Sequence, residues 1–265
     1  MSAVPPPGCA DLWWFDIRPI RPGPPDLAEL DQTERAKAAS FAFAADRHRY
    51  QAAHVLLRRV LSGYVGVPPA ELVVRRVPCP QCGGPDGRPA LPGAGSPHFS
   101  LAHSGDAVLV AIAGQPVGVD VEQEPRGCMC SMTSAMHPSD AAAMAALPEP
   151  ERHEAIIRWW VRAEAVLKCT GEGIAHGLDG FPVVSGPAGA LVHGCSVDSV
   201  TAPPGYRAAI ALAGDTRITR LTVRAAWDDR TWPAVAAGSP SPRGVAARAP
   251  GNLIPGSGVA ARRRI

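Results

Sequence analysis

Two short stretches of this chain carry residue types and spacings suited to chemistry. In "PVGVDVEQ" the acids Asp120 and Glu122 are separated by one residue; in "RWWVRAEAVLKCTGEGI" Glu164 and Lys168 lie four apart. Side chains alternate along a β-strand, so Val117, Val119 and Val121 share one face while Gly118, Asp120 and Glu122 share the other. The two acids then stand about 6.6 Å apart along the strand and can reach toward one hard cation, directly or through water. Gly118 is expected to leave open space beside them. Taken alone, such a pair is more often the wet face of an edge strand.

The helix-like stretch offers a third acid. Trp160, Glu164 and Lys168 recur every four residues and project from one helical face. In isolation Glu164 and Lys168 read as an ordinary ion pair worth about 0.2–0.5 kcal/mol. If that face meets the polar face of the strand, the three carboxylates make a site for Mg²⁺, which prefers oxygen ligands and works with phosphate substrates. Lys168, one turn along, then suits a phosphate oxygen. In "FSLAHSGD", His103 sits in a turn with Ser104 and Gly105. Arg88 and a basic helix carrying Arg47, Arg49 and Arg58 could join it around an anion.

Further elements are needed to position these residues. "LWWFDI" (12–17) reads as a strand, 31–64 as helix with Gly63 and Gly66 at its end, and "ELVVRRV" (71–77) as a strand before a long turn-rich loop. "HFSLAHS" follows, and 107–122 reads as two strands in a hairpin broken at "AGQP". Residues 126–168 are mainly helical; "FPVVSG", "ALVHGCSV", 206–214 and 218–227 are strands. Strand, helices and strands thus occur twice, which predicts an α+β protein of two similar halves. The expected division is a flexible lead at 1–11, an N-terminal half at 12–117, a C-terminal half with the metal site at 118–229, and a disordered Ala/Pro/Gly/Arg tail at 230–265.

Composition narrows the class. Hydrophobic residues make up 46% of the 265 and charged ones 19%, as in a soluble globular protein. The formal charge is +2, but five arginines (Arg243, Arg248, Arg262, Arg263, Arg264) stand after residue 233 where there is no acid, leaving −3 over the rest. That balance argues against a nucleic-acid module. The longest apolar runs, such as "AVLVAIA", are too short for a membrane span, and no export signal is visible. The seven unevenly spaced cysteines read as reduced thiols of a cytoplasmic protein. "CPQC" (79–82) has zinc-like spacing but lacks the other two ligands, so a turn with two thiols is favoured.

Taken in order, "GRPAL", "FSLAHSGD", "GVDVE" and "WVRAEAVLKCTGEGI" resemble the Sfp-type 4'-phosphopantetheinyl transferases. "ERAKAASFAFAADRHRYQAAHVLLRRVL" before them and "GLDGF" and "PPGYRAAIALA" after extend the resemblance over about residues 12–227. It implies a fold of two pseudo-symmetric α/β halves with coenzyme A between them, in a monomer. It also implies transfer of phosphopantetheine from coenzyme A to a serine of an apo acyl- or peptidyl-carrier protein, releasing 3',5'-ADP, for polyketide or nonribosomal peptide synthesis. Asp120, Glu122 and Glu164 match the family's Mg²⁺-binding acids, and Glu164 also its general base. Lys168 matches the lysine at the pyrophosphate; His103, Lys37 and Arg88 match coenzyme A phosphate contacts.

Three features depart from the family pattern. Ala163 replaces the lysine that precedes the catalytic Glu, and Arg162 points about 100° away around a helix. Ala102 replaces a frequent serine before His103. The segment 126–144 is unusual, although Asp140 lies near where the family carries another acid. Met129, Met132 and Met136 there follow i, i+3, i+7 spacing, with Met144 beyond. They read either as a soft stripe that docks a carrier helix or as core packing.

Overall fold

The computed structural model of the chain describes residues 2–124, 130–173, 177–184, 191–215 and 217–226. It is a mixed α+β fold. In chain order the elements are β1 (Cys9–Asp16), α1 (Pro24–Leu27), α2 (Gln32–Ala39), α3 (Ala44–Val65), β2 (Arg75–Arg76), β3 (Pro89–Ala90), β4 (His98–Ser104), β5 (Ala107–Ala113) and β6 (Val117–Gln123). After these come α4 (Pro138–Ala146), α5 (Glu149–Thr170), β7 (Cys195–Val200), β8 (Tyr206–Ala213) and β9 (Arg220–Ala226).

Two sheets form the centre. One has the order β4-β5-β1-β9 and the other β6-β8-β7. Alternation along the strands gives each sheet two apolar faces. Leu12, Trp14, Leu109, Val119, Val121 and Ile210 pack between the sheets. Phe15, Val108, Val110 and Ile112 turn the other way onto Leu56, Leu57, Val60 and Leu61 of α3. Trp159, Val166 and Leu167 of α5 pack with Ala209 and Ala211 of β8. The layers therefore run α3, first sheet, second sheet, α5. Continuous apolar strands such as β5 result because both faces are covered. Both long helices end on a left-handed glycine, Gly66 (φ 72) and Gly171 (φ 87).

Several boundaries differ from the sequence reading. The helical stretch 31–64 is two helices broken at 40–43, α2 starting in a reciprocal capping box between Asp31 and Glu34. β1 begins at Cys9, so residues 9–11 of the expected lead belong to a sheet. The strand expected over 71–77 is reduced to Arg75–Arg76, preceded by a 3₁₀ turn at Pro69–Glu71. The hairpin expected at "AGQP" does not form: β5 pairs with β4 and β1, whereas β6 pairs with β8. Gln115 explains the crossing, accepting from Gly8 N at 3.1 Å and donating to Ala213 O at 2.7 Å. Residues 181–184 form no strand. β9 pairs in parallel with β1, closing the C-terminal part onto the first sheet. No helix among the described residues is long and apolar enough to cross a membrane. The tail expectation for 230–265 and Met129 lie outside the described residues.

Candidate active site

The polar face of β6 meets α5. Gly118 makes this possible, though not by leaving open space: a Cβ there would lie 1.9 Å from Ala165 O and 2.5 Å from Cys169 N of α5. The helix backbone fills the space expected to be open. The close approach seats the helix face of Trp160, Glu164 and Lys168 against the acids of β6.

Each group is tied differently. Lys168 Nζ donates to Asp120 Oδ1 at 2.6 Å, so the lysine pairs across elements with the strand. Trp160 Nε1 donates to Glu122 Oε1 at 3.3 Å. Ser104 Oγ donates to Glu122 Oε2 at 2.7 Å and accepts from Gln123 N at 3.1 Å. Ser104 and Trp160 thus hold the Glu122 carboxylate from two sides. The sequence reading gave neither that role: Ser104 entered as a turn residue and Trp160 as a marker of the helix face.

Asp120 and Glu164 are buried, at 4% and 7% exposure. Asp120 Oδ2 and Glu164 Oε1 have no hydrogen-bond partner among the described residues. Burial pushes the Asp120 carboxyl up to about 6, against the pull of Lys168. Burial and then the Asp120 charge push Glu164 up to about 7. Both shifts follow from removing negative charge from water, with one ammonium close by to offset it. Orphaned carboxylate oxygens on neighbouring acids are the kind of donor that a hard divalent cation takes. Among the described residues, however, no group of three His, Cys, Asp or Glu side chains stands in ready metal-ligand geometry.

A cationic region lies beside the acids. His103 is exposed, yet the protein packed around it, followed by the charges of His54, Lys168 and Arg49, holds its imidazole below its ordinary value. Arg88 is set against the C-terminal end of α5, where a Cβ on Gly171 would lie 3.2 Å from Arg88 N. Its Nη1 donates to His98 Nδ1 at 3.2 Å, with His98 held low by burial and then by Arg88. Lys37 is exposed on α2, its ammonium 5.3 Å from the Phe41 ring centre. Phe41 meets Tyr50 at 5.4 Å and Tyr50 stacks on His54 at 4.0 Å, a line of rings leading toward His103. His54 and His98 carried no signal in the sequence beyond being histidines.

Other candidates have structural roles. Arg58 is fully buried, bonded to Glu34 at 2.6 Å, Asp31 at 2.7 Å and the carbonyls of Pro69 and Leu72. Four of its five N–H groups are taken and burial closes it off from an anionic ligand. Arg47 donates to Phe41 O at 3.1 Å. Asp140 accepts from Trp159 Nε1 at 3.0 Å and from Val183 N at 2.6 Å, anchoring α4 and the 183–184 segment to α5. Met136 and Met144 are in the α5 core and Met132 packs against it, so core packing accounts for them. Ala163 is wholly buried in that core, while Arg162 feels Asp198 of β7 and lies away from Asp120.

An acid-bearing strand and a Glu-Lys helix lie within the part of the chain that resembles known proteins. Residues 116–200 match the 4'-phosphopantetheinyl transferase superfamily. Among its relatives, a 4'-phosphopantetheinyl transferase psf-1 of Bacillus pumilus is 30% identical over 149 residues, covering 56% of this chain and 60% of the relative. A phosphopantetheinyl transferase of Thraustochytrium is 29% identical, covering 65% of each chain. The 4'-phosphopantetheinyl transferase Sfp of Bacillus subtilis is 25% identical, over 71% of this chain and 84% of its own. The chain thus spans less than two thirds of the first two relatives' lengths.

Proposed function

We propose that this protein transfers the 4'-phosphopantetheine group of coenzyme A to a serine hydroxyl of an apo acyl- or peptidyl-carrier protein, releasing 3',5'-ADP. The superfamily match supports the reaction class. The observation that carries the site assignment is the pair of buried, orphaned oxygens, Asp120 Oδ2 and Glu164 Oε1, facing a lysine.

In this reading Asp120, Glu122 and Glu164 hold Mg²⁺. The ion they would hold would supply positive charge to the pyrophosphate. Glu164, buried on α5, is proposed to accept the carrier serine's proton, directly or through water. Lys168 exchanges its bond to Asp120 for one to a pyrophosphate oxygen and stabilises the departing nucleotide phosphate. Ser104 and Trp160 keep the Glu122 carboxylate oriented throughout. His103, Lys37 and Arg88 take the phosphates of coenzyme A. Neither Lys37 nor Arg88 ion-pairs with an acid among the described residues, which leaves their charge for phosphate, while His103, held below its ordinary value, would serve mainly as a hydrogen-bonding group.

The architecture is read as two pseudo-symmetric halves, each a sheet covered by a 22-residue helix that ends on a left-handed glycine. The protein is proposed to act as a cytoplasmic monomer in polyketide or nonribosomal peptide synthesis, independent of nucleic acid and membrane. One experiment tests the reaction: incubate the protein with coenzyme A, Mg²⁺ and apo carrier proteins, and weigh the carriers. A carrier gaining the mass of phosphopantetheine is the expected result. No transfer to fatty-acid, polyketide or peptide-synthetase carriers would overturn the reading.

A further inference from the structure

The cysteine pair of "CPQC" is absorbed by neither the transfer chemistry nor the core. Cys82 is exposed, while Cys79 is covered. The turn is closed on itself, Gly83 N donating to Cys79 O and Cys79 N to Gly84 O, both at 2.8 Å, with Gly83 at φ 68. Only glycine adopts that backbone cheaply. The closure aims the N–H groups of Gln81 and Cys82 at the Cys79 sulfur and brings the Cys82 thiol into hydrogen-bonding contact with it. Those N–H groups favour the thiolate, holding the Cys79 thiol below its ordinary value. A metal needs two further ligands, and the described residues supply no such group.

The same turn bears on the candidate active site. Cys79 Sγ donates to Glu172 O at 3.8 Å, just past the end of α5. The returning chain passes Gly87, where a Cβ would lie 2.3 Å from Val77 O, and reaches Arg88 against Gly171. The thiol contact and the Arg88 contact therefore dock one loop onto two consecutive residues of the helix end.

We infer that Cys79 and Cys82 are an oxidisable dithiol, which a small-molecule disulfide of the glutathione class closes into an intrachain disulfide that loosens the Arg88 loop from α5. Exposed Cys82 attacks the oxidant as its thiolate, forming a mixed disulfide and releasing one small thiol. The Cys79 thiolate then attacks the Cys82 sulfur and expels the second. Two protein thiols are oxidised and one small disulfide is reduced to two thiols. Bond formation takes the Cys79 sulfur and its proton from Glu172 O, removing a contact that holds the loop to the end of α5.

The test treats the full chain with oxidised glutathione and maps the peptide containing residues 79–82 by mass. The wild type should lose two hydrogens at this pair and carry no adduct; Cys79→Ser should retain a glutathione adduct on Cys82. The oxidised wild type should show a KM for coenzyme A raised roughly tenfold, the worth of one charge-assisted hydrogen bond. The Cys79→Ser/Cys82→Ser double variant, treated alike, should not change. The kinetic arm rests on the proposed transfer reaction, whereas the mass arm does not. If even the reduced protein transfers nothing, that reading fails and the mass arm still decides whether the bond forms. An adduct persisting on wild-type Cys82, zinc held by the reduced pair that blocks oxidation, or a disulfide with unchanged KM would each overturn the inference.

Discussion

Replacing Gly118 by alanine tests the contact on which the candidate site rests. The added methyl would sit 1.9 Å from Ala165 O, and ordinary van der Waals contact begins at 3.4 Å. Neither colliding group is a flexible side-chain end; both belong to the α5 backbone. The helix must therefore withdraw by about 1.5 Å, because packed interiors have little slack to absorb the methyl elsewhere. Ala165 and Cys169 follow Glu164 and Lys168 directly, so the withdrawal carries both functional groups from β6. The 2.6 Å bond between Lys168 and Asp120 then opens beyond hydrogen-bonding length. Overpacking of this kind costs about 1–3 kcal/mol, a fall in Tm of about 2–12 °C for a chain of this size. Misplacement by 1 Å or more is expected to lower transfer by about 10²-fold. Thermal melts and carrier-loading rates measure the two effects, with Gly63→Ala as control. Gly63 lies in α3 with nothing within 4 Å of its added Cβ, and alanine there should stabilise the helix slightly. A Gly118→Ala protein that melts and transfers like the wild type would show that this contact does not hold the acids in place.

Three further substitutions separate the roles assigned above. Glu164→Gln should abolish transfer yet stabilise the fold at alkaline pH. The native carboxyl is raised to about 7, so its ionisation weakens the fold progressively as pH climbs from the ordinary carboxylate range through that value. Variant and wild type should melt together near pH 4, and near pH 8 the variant should be more stable by on the order of 2 kcal/mol; equal melting near pH 8 refutes the burial argument. Arg58→Met should cost about 3–5 kcal/mol in chemical denaturation, because it strands the Asp31 and Glu34 carboxylates, while the folded fraction keeps its KM for coenzyme A. A changed KM with unchanged stability would return Arg58 to the anion site. Ala163→Lys should lower Tm and gain no activity, because its position is wholly buried in the α5 core; faster transfer would contradict that placement.

The legible parts of the site were those governed by local periodicity. Alternation in β6 put Val117, Val119 and Val121 on one face and the acids on the other, and the four-residue spacing in α5 aligned Trp160, Glu164 and Lys168. The two faces do meet. Gly118 shows where that logic stops, since an absent side chain marks close approach without saying what approaches. Here it is helix backbone. Arg58 shows a second limit. It was grouped with Arg47 and Arg49 on one basic helix, but it stands nine residues from Arg49, on the opposite face, among the core residues Leu56, Leu57, Val60 and Leu61. The "AGQP" crossing and the pairing of β9 with β1 depend on partners some 100 to 200 residues away, which no local pattern contains.

The i,i+4 pair within α5 shows why assembly changes the meaning of a motif. On a solvated helix Glu164 and Lys168 would neutralise each other weakly and do nothing more. Packed against β6, the lysine bonds Asp120, and Glu164 is left buried with an orphaned oxygen beside a second carboxylate. Lys168 offsets one negative charge, while three carboxylates share its neighbourhood. Ser104 and Trp160 supply neutral hydrogen bonds to Glu122 but no charge. Such an imbalance is resolved either by proton uptake, which the raised Asp120 and Glu164 values reflect, or by a bound cation. The two resolutions compete for the same oxygens, so cation binding must release protons in the range between about 6 and 7. Calorimetry of Mg²⁺ binding in two buffers of different ionisation enthalpy measures that release. Binding without proton release would place the ion elsewhere than on Asp120 and Glu164.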